Sequence, residues 1–300
     1  MITLLISIYW FLPRTITVSA TAISKVSDEA VYRSLVNFNN WEKWWPEKQT
    51  NAKKDTLYFK GSLYHLRKLR YRAFAIDIME GGKIYPSELI LATMRNNTIV
   101  MEWKTNITSG YEPFSKIDVY KKSRTVQKNT QAILSCLKSF MNKTENLYGV
   151  NIRETKVKDS VIVVSEKTSR QYPSTSEIYA IVKSLKKHIG KKHAKELNYP
   201  MLNVDTTSGK FLTRVGIPVN KDLDVKGTHF AIKRMVLGNI LVADVKGGPC
   251  SIKNALEEFE RYLYDYRRRS PAIPYQTLIT DRLNEHDTSK WVTKICYPVY

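Results

Sequence analysis

The second half of this chain is a duplicated pattern, and that duplication limits the fold more than any other feature. Ile178, Ile181, Val182, Leu185 and Ile189 fall on one helix face. Ile252, Ala255, Leu256, Phe259 and Leu263 repeat the same spacing 74 residues later. Each helix is followed by a strand led by proline, at Pro200–Asp205 and Pro274–Asp281. Each unit closes on a strand ending in Pro-Val, at Val215–Val219 and Ile295–Val299. A β-rich stretch precedes each helix, at Val161–Val164 and Asn239–Val245. The pattern predicts two βαββ units related by a pseudo-twofold. Neither unit could bury its apolar face alone, so the two are expected to pack together. The seam of such a pair suits a small molecule.

Three hundred residues with 43% hydrophobic content suit two domains, each able to bury a core. The formal charge of +20 divides evenly, +10 in residues 1–150 and +10 in residues 151–300, which argues against a basic nucleic-acid arm. Such a field still favours anionic partners or surfaces. Cys136, Cys250 and Cys296 are too few and too far apart for a disulfide framework or a metal knuckle, so free thiols and no metal are expected. His188 and His193, five apart, lack the spacing of a helical metal pair. No phosphate loop, Ser/His/Asp set or Cys/His set is visible, and no cofactor is expected. The Asn-x-Thr sequons at Asn96, Asn106 and Asn142 matter only in a eukaryotic secretory context, which nothing in the sequence supports.

Residues 1–13 are uncharged and apolar, too short to span a bilayer and without a basic leader. A shortened membrane anchor, an interfacial segment and a first strand all fit; the protein is accordingly expected to be cytoplasmic or membrane-tethered through this segment. Residues 14–23 alternate as a strand, and Ser27-Asp28-Glu29 opens a helix with Ser27 as its expected N-cap. Residues from about 55 to 122 read as strands, with turns at Gly61, Gly81-Gly82, Asn96-Asn97 and Ser109-Gly110. Residues 127–145 read as a helix with Ile133, Leu137, Phe140 and Met141 on one face. The space between such a helix and its sheet is a candidate cavity.

Phe38-Asn-Asn-Trp41-Glu-Lys-Trp44-Trp45-Pro46, following the first helix, resembles a stretch of the START-like polyketide-cyclase superfamily, also written SRPBCC. The resemblance covers residues 14–145. It implies a helix-grip fold, a curved antiparallel sheet around a long C-terminal helix, with an apolar cavity beneath that helix. The duplicated half, through Val215–Val219, Val245-Lys-Gly-Gly-Pro249 and Ile295–Val299, resembles the gyrase-inhibitor-like effector-binding domain of multidrug-responsive transcription activators. The expected fold class is therefore α+β: an apolar segment at 1–13, a START-like domain at 14–148 and a duplicated βαββ effector-binding domain at 152–300.

The second resemblance implies a pocket for an aromatic cation, held by a glutamate in the strand after the second helix. Gln276 stands where that acid is expected, Leu278 where its tyrosine partner is, and Arg214 stands in a position that is often acidic. An unpaired buried cation is costly, so a neutral or anionic amphipathic ligand is expected instead. The candidate ligand-binding residues are Tyr179, Arg214, Phe230, Tyr275, Gln276 and Trp291; none is assigned a catalytic role. Some relatives hydrolyse small molecules through the pocket glutamate, work that an amide at Gln276 cannot do. The sequence thus reads as a small-molecule sensor or carrier without a DNA-binding domain of its own. A hydrolase is the rival reading, and a basic membrane- or nucleic-acid-surface protein the third. The run His65–Arg72 is the strongest nucleic-acid feature, but no recognition motif accompanies it, so no specific nucleic acid is expected.

Overall fold

The computed structural model describes residues 13–49, 55–158, 161–207 and 209–300. The apolar segment at 1–13 lies, but for Pro13, outside them. The chain divides into two compact units, residues 1–147 and 148–300, both α+β with antiparallel sheets. No helix among the described residues is long and apolar enough to cross a membrane.

The first unit runs β1 (Thr15–Ser24), α1 (Asp28–Val36), a 3-10 turn (Phe38–Lys43), β2 (Thr56–Phe59), β3 (Ser62–Arg70), β4 (Ala73–Glu80), β5 (Lys83–Met94), β6 (Thr98–Thr108) and α2 (Pro113–Met141). A short helix, α3 (Thr144–Tyr148), follows. The strands form one sheet in the order β1-β6-β5-β4-β3-β2, and α2 packs on β1 and β6. Gly81 and Gly82 take positive φ at the β4–β5 turn, where a side chain would be strained.

Two local expectations are corrected. Strand structure ends at Thr108, not near residue 122, because Pro113 starts α2 at its first turn. The buried face of α2 includes Ser123 and Thr130 as well as Val119, Val126, Ile133, Leu137 and Met141. Their hydroxyls donate back to Tyr120 O at 2.7 Å and Val126 O at 2.8 Å, so polar residues sit on an apolar stripe and interrupt it in the sequence. Ser27 occupies the N-cap position of α1 but its hydroxyl makes no capping bond; Asp28 instead accepts from Arg72 and Thr93. Aromatic rings pack in the core of this unit. Trp41, Trp44, Trp45, Tyr64 and Trp103 are all buried and follow one another with centroids 4.9 to 6.0 Å apart. The Trp103 indole N–H donates to Ser87 Oγ at 3.0 Å, which donates to Ile76 O at 2.7 Å.

The second unit runs β7 (Arg153–Lys156), β8 (Val161–Ser169), α4 (Thr175–Lys191), β9 (Met201–Thr207), β10 (Lys210–Pro218), β11 (Phe230–Arg234), β12 (Asn239–Lys246), α5 (Pro249–Asp265), β13 (Tyr275–Leu278) and β14 (Val292–Val299). The βαββ repeat is present as β8-α4-β9-β10 and β12-α5-β13-β14. Local chemistry starts both helices: Ser174 and Glu177 form a reciprocal capping box at α4, and Pro249 opens α5.

The eight strands build one sheet in the order β11-β8-β10-β9-β13-β14-β12-β7. The order is palindromic about β9/β13, where Leu202 faces Gln276 and Met201 faces Thr277. The outermost strands are exchanged. β7 precedes the first repeat but pairs with β12 of the second, and β11 precedes the second but pairs with β8 of the first. Residues 235–238 therefore carry the chain across six strand spacings. In a flat sheet these would span about 29 Å. Five extended residue steps reach only about 18 Å, so the sheet must curl. The chain leaving β7 meets the 235–238 crossover, with Val157 N donating to Gly238 O at 3.0 Å. One face of the curled sheet packs α4 through Val163, Leu202, Val215, Ile217 and Leu278. The other face is hollow.

Candidate ligand-binding site

Strand alternation decides which side chains reach the hollow. Ile162 and Val164 of β8, Met201 and Asn203 of β9, Arg214 and Gly216 of β10 and Tyr275 of β13 line a cleft of about 300 Å³. Met235 and Val236 of the crossover close one side, and Ala272 and Ile273 the other. Val236 and Ile273 are more than half exposed, leaving an apolar rim open to water. At the floor Gly216 contributes no side chain, and Ile162 packs into the space this leaves: a Cβ there would lie 2.8 Å from Ile162 Cγ2.

The polar lining is cationic. Arg214 donates to Asn203 Oδ1 at 2.8 Å, and Asn203 donates to Pro274 O at 3.0 Å, so the guanidinium is held across the seam. Lys233 and Arg234 of β11 also line the cleft. Glu166 lies beside it, accepting from Lys233 with its Oε1 3.7 Å from Arg214 Nε. The Lys233 hydrogen bond, with the charges of Lys233 and Arg214, holds Glu166 below the usual carboxylate range. It stays ionised and bound up, which is unlike a general base. Arg234 pairs with Asp222 at 2.5 Å, and Asp205 reaches Arg214 only at 3.9 Å with most of its side chain in water.

Of the six candidates, the structure brings Arg214 and Tyr275 together in this cleft. The other four lie elsewhere. Gln276 is one residue out of phase and shares the helix-side face with Leu278. Phe230 is on that face too, against the rings of His188 and His229. Tyr179 lines a separate groove of about 590 Å³ between α4 and β13. Its hydroxyl donates to Thr280 O at 3.0 Å and accepts from Arg282 N at 2.9 Å, which anchors the β13–β14 loop. Trp291 is buried in the same loop, donating to Glu285 O at 2.9 Å beneath the Arg282 guanidinium. Sequence reasoning missed Lys233, Asn203 and Glu166, which no local spacing marks; each becomes a neighbour of Arg214 only through strand pairing.

A second cleft of about 300 Å³ continues the hollow past Tyr275 and Met235, which line both. It is formed by Ile240 and Val242 of β12, Thr277 of β13, Lys294 and Cys296 of β14, and Thr155 and Lys156 of β7. Burial pushes the Cys296 thiol up to about 11. Among the described residues no three His, Cys, Asp or Glu side chains gather as a metal site.

No protein-family model and no curated protein matches the chain. Among solved structures, the C-terminal domain of EcmrR aligns over 50% of this chain and 98% of its own, with 14% identity and a TM-score of 0.43. SAV2435 bound to tetraphenylphosphonium aligns over 50% and 93%, with 11% identity and a TM-score of 0.34. A hydrolase from Listeria innocua aligns over 49% and 92%, with 10% identity and a TM-score of 0.37. At these identities and TM-scores the likenesses decide neither fold nor function, which rest on the geometry above.

Proposed function

We propose that the protein is a small-molecule sensor or carrier, and that its second unit is a gyrase-inhibitor-like effector-binding domain taking a neutral or anionic amphipathic ligand in the Arg214–Tyr275 cleft. One observation carries the reading: an apolar hollow whose charged lining is Arg214, Lys233 and Arg234, with no carboxylate among its described lining residues. An apolar body would lie against Ile162, Val164 and Tyr275, and an anionic head would meet Arg214. A hydrolytic reading finds less support, because the nearest carboxylate, Glu166, is already committed to two cations. We read the first unit as a START-like helix-grip domain, on its β1-β6-β5-β4-β3-β2 sheet crossed by the long α2.

The test is calorimetric unfolding of the full chain with decanoate, naphthalene sulfonate, decanol and tetraphenylphosphonium. A ligand at 100 times its Kd stabilises by about 2.7 kcal/mol, which is roughly 5–10 °C for a unit of this size. Anions and the alcohol should raise the transition of the second unit. Arg214→Met should weaken the anions by about 1.5–3 kcal/mol, the worth of a charge-assisted hydrogen bond. Stabilisation by tetraphenylphosphonium alone would overturn the proposal.

A further inference from the structure

The pseudo-twofold relates more than the fold. Arg214 in β10 and Lys294 in β14 occupy equivalent places, each two residues before the cleft-floor residue, Gly216 or Cys296. Each faces a carboxylate on the neighbouring strand, Glu166 opposite Arg214 and Asp244 opposite Lys294. A second cation from the exchanged edge strand reaches each carboxylate: Lys233 bonds Glu166, and Arg153 bonds Asp244 at 2.7 Å. Lys294 Nζ lies 3.9 Å from Asp244. Each half of the hollow thus holds one acid between two bases and keeps positive charge in excess. Asp205, near Arg214, is largely in water and its charge is screened there.

From this arrangement we infer that the two clefts form one trough for a dianion, a molecule with an anionic group at each end and an apolar body lying over Tyr275 and Met235. The inference rests on the anionic-ligand reading of the Arg214 cleft and extends it across the seam. Arg214 and Lys294 stand three strand spacings apart and two residues out of register, about 16 Å in a flat sheet and less across its curl, so the two anionic groups should be roughly 10–16 Å apart. A rigid or extended body of that length passes the shared wall at Tyr275 and Met235, which line both clefts. A short diacid could reach only one end.

Titration calorimetry of the full chain with decanedioate, decanoate and butanedioate tests this. Decanedioate should bind at least about tenfold more tightly than decanoate, since it gains one further charge-assisted contact. Lys294→Met should abolish that advantage and leave decanoate unchanged, while Lys294→Arg should retain it. Arg214→Met should weaken both. Lys294 is partly exposed, so its variants should fold, and calorimetric unfolding verifies that. Equal binding of decanoate and decanedioate, with no effect of Lys294→Met, would overturn the dianion while sparing the one-ended reading. Absence of binding by either, or indifference to Arg214→Met, would bring down both.

Discussion

Gly216→Ala isolates the contact that makes the cleft floor. The added methyl would lie 2.8 Å from Ile162 Cγ2, 3.4 Å from Val164 Cγ2 and 3.8 Å from Val163 O, so Ile162 has to move. Overpacking of this kind costs about 1–3 kcal/mol. The strand is extended at Gly216, so the variant regains up to about 1 kcal/mol by restricting the unfolded chain. With that regain in full the net loss is about 0–2 kcal/mol, or up to roughly 8 °C in the transition of the second unit. Ile162→Ala removes the colliding atom and by itself costs about 2–4 kcal/mol. In that background Gly216→Ala should be neutral or stabilising, because its methyl enters vacated space. Coupling of about 1–3 kcal/mol between the two sites is expected. Calorimetry is the suitable assay: five of the six tryptophans precede residue 104, so fluorescence would report mainly on the first unit. A Gly216→Ala cost that is the same in both backgrounds would refute the contact argument.

Two further outcomes follow. The Cys296 thiol ionises at about 9 when unfolded but at about 11 when folded, so the unfolded state loses its proton first as pH rises. The stability this confers is complete below pH 9, falls between pH 9 and 11, and reaches about 3 kcal/mol in all; Cys296→Ala should flatten that part of the profile relative to the parent chain, and identical slopes would contradict the burial argument. Ser87→Ala should cost the first unit about 1–3 kcal/mol, because it strands the Trp103 indole N–H and takes a donor from Ile76 O in the core; an unchanged midpoint in tryptophan-monitored urea unfolding would count against it.

The βαββ repeat was legible because its two helices carry clean 3.6-residue stripes and its prolines mark strand starts. The exchanged strands were not. β7 is exposed at every residue and has no apolar face to read, and the partner of β11 is set by topology rather than by neighbours in sequence. In the first unit, the front half of α2 was hidden by Ser123 and Thr130, whose hydroxyls satisfy themselves on the helix backbone. For the site, Arg214 and Tyr275 were visible through the motifs around them. Gln276 was assigned to the hollow through a resemblance, and a one-residue phase difference in a strand sends a side chain to the opposite face. Tyr179 and Trp291 were chosen for aromaticity, but both hold a loop through hydrogen bonds that composition does not reveal. Lys294 was within reach, since it sits 80 residues after Arg214, the same offset that separates Val219 from Val299.

The exchange of outer strands has a consequence for how this half of the molecule is put together. Each repeat is completed by a ribbon belonging to its sibling's stretch of chain, so neither is a self-sufficient folding module. Residues 161–219, excised, would leave the free edge of β8 bare, a long unpaired row of amides and carbonyls ready to recruit a foreign chain. A copy that arose by gene duplication could reach its present form only once both halves were on the same polypeptide or pairing between two. The clasp at Val157 and Gly238 is where that interdependence is tied.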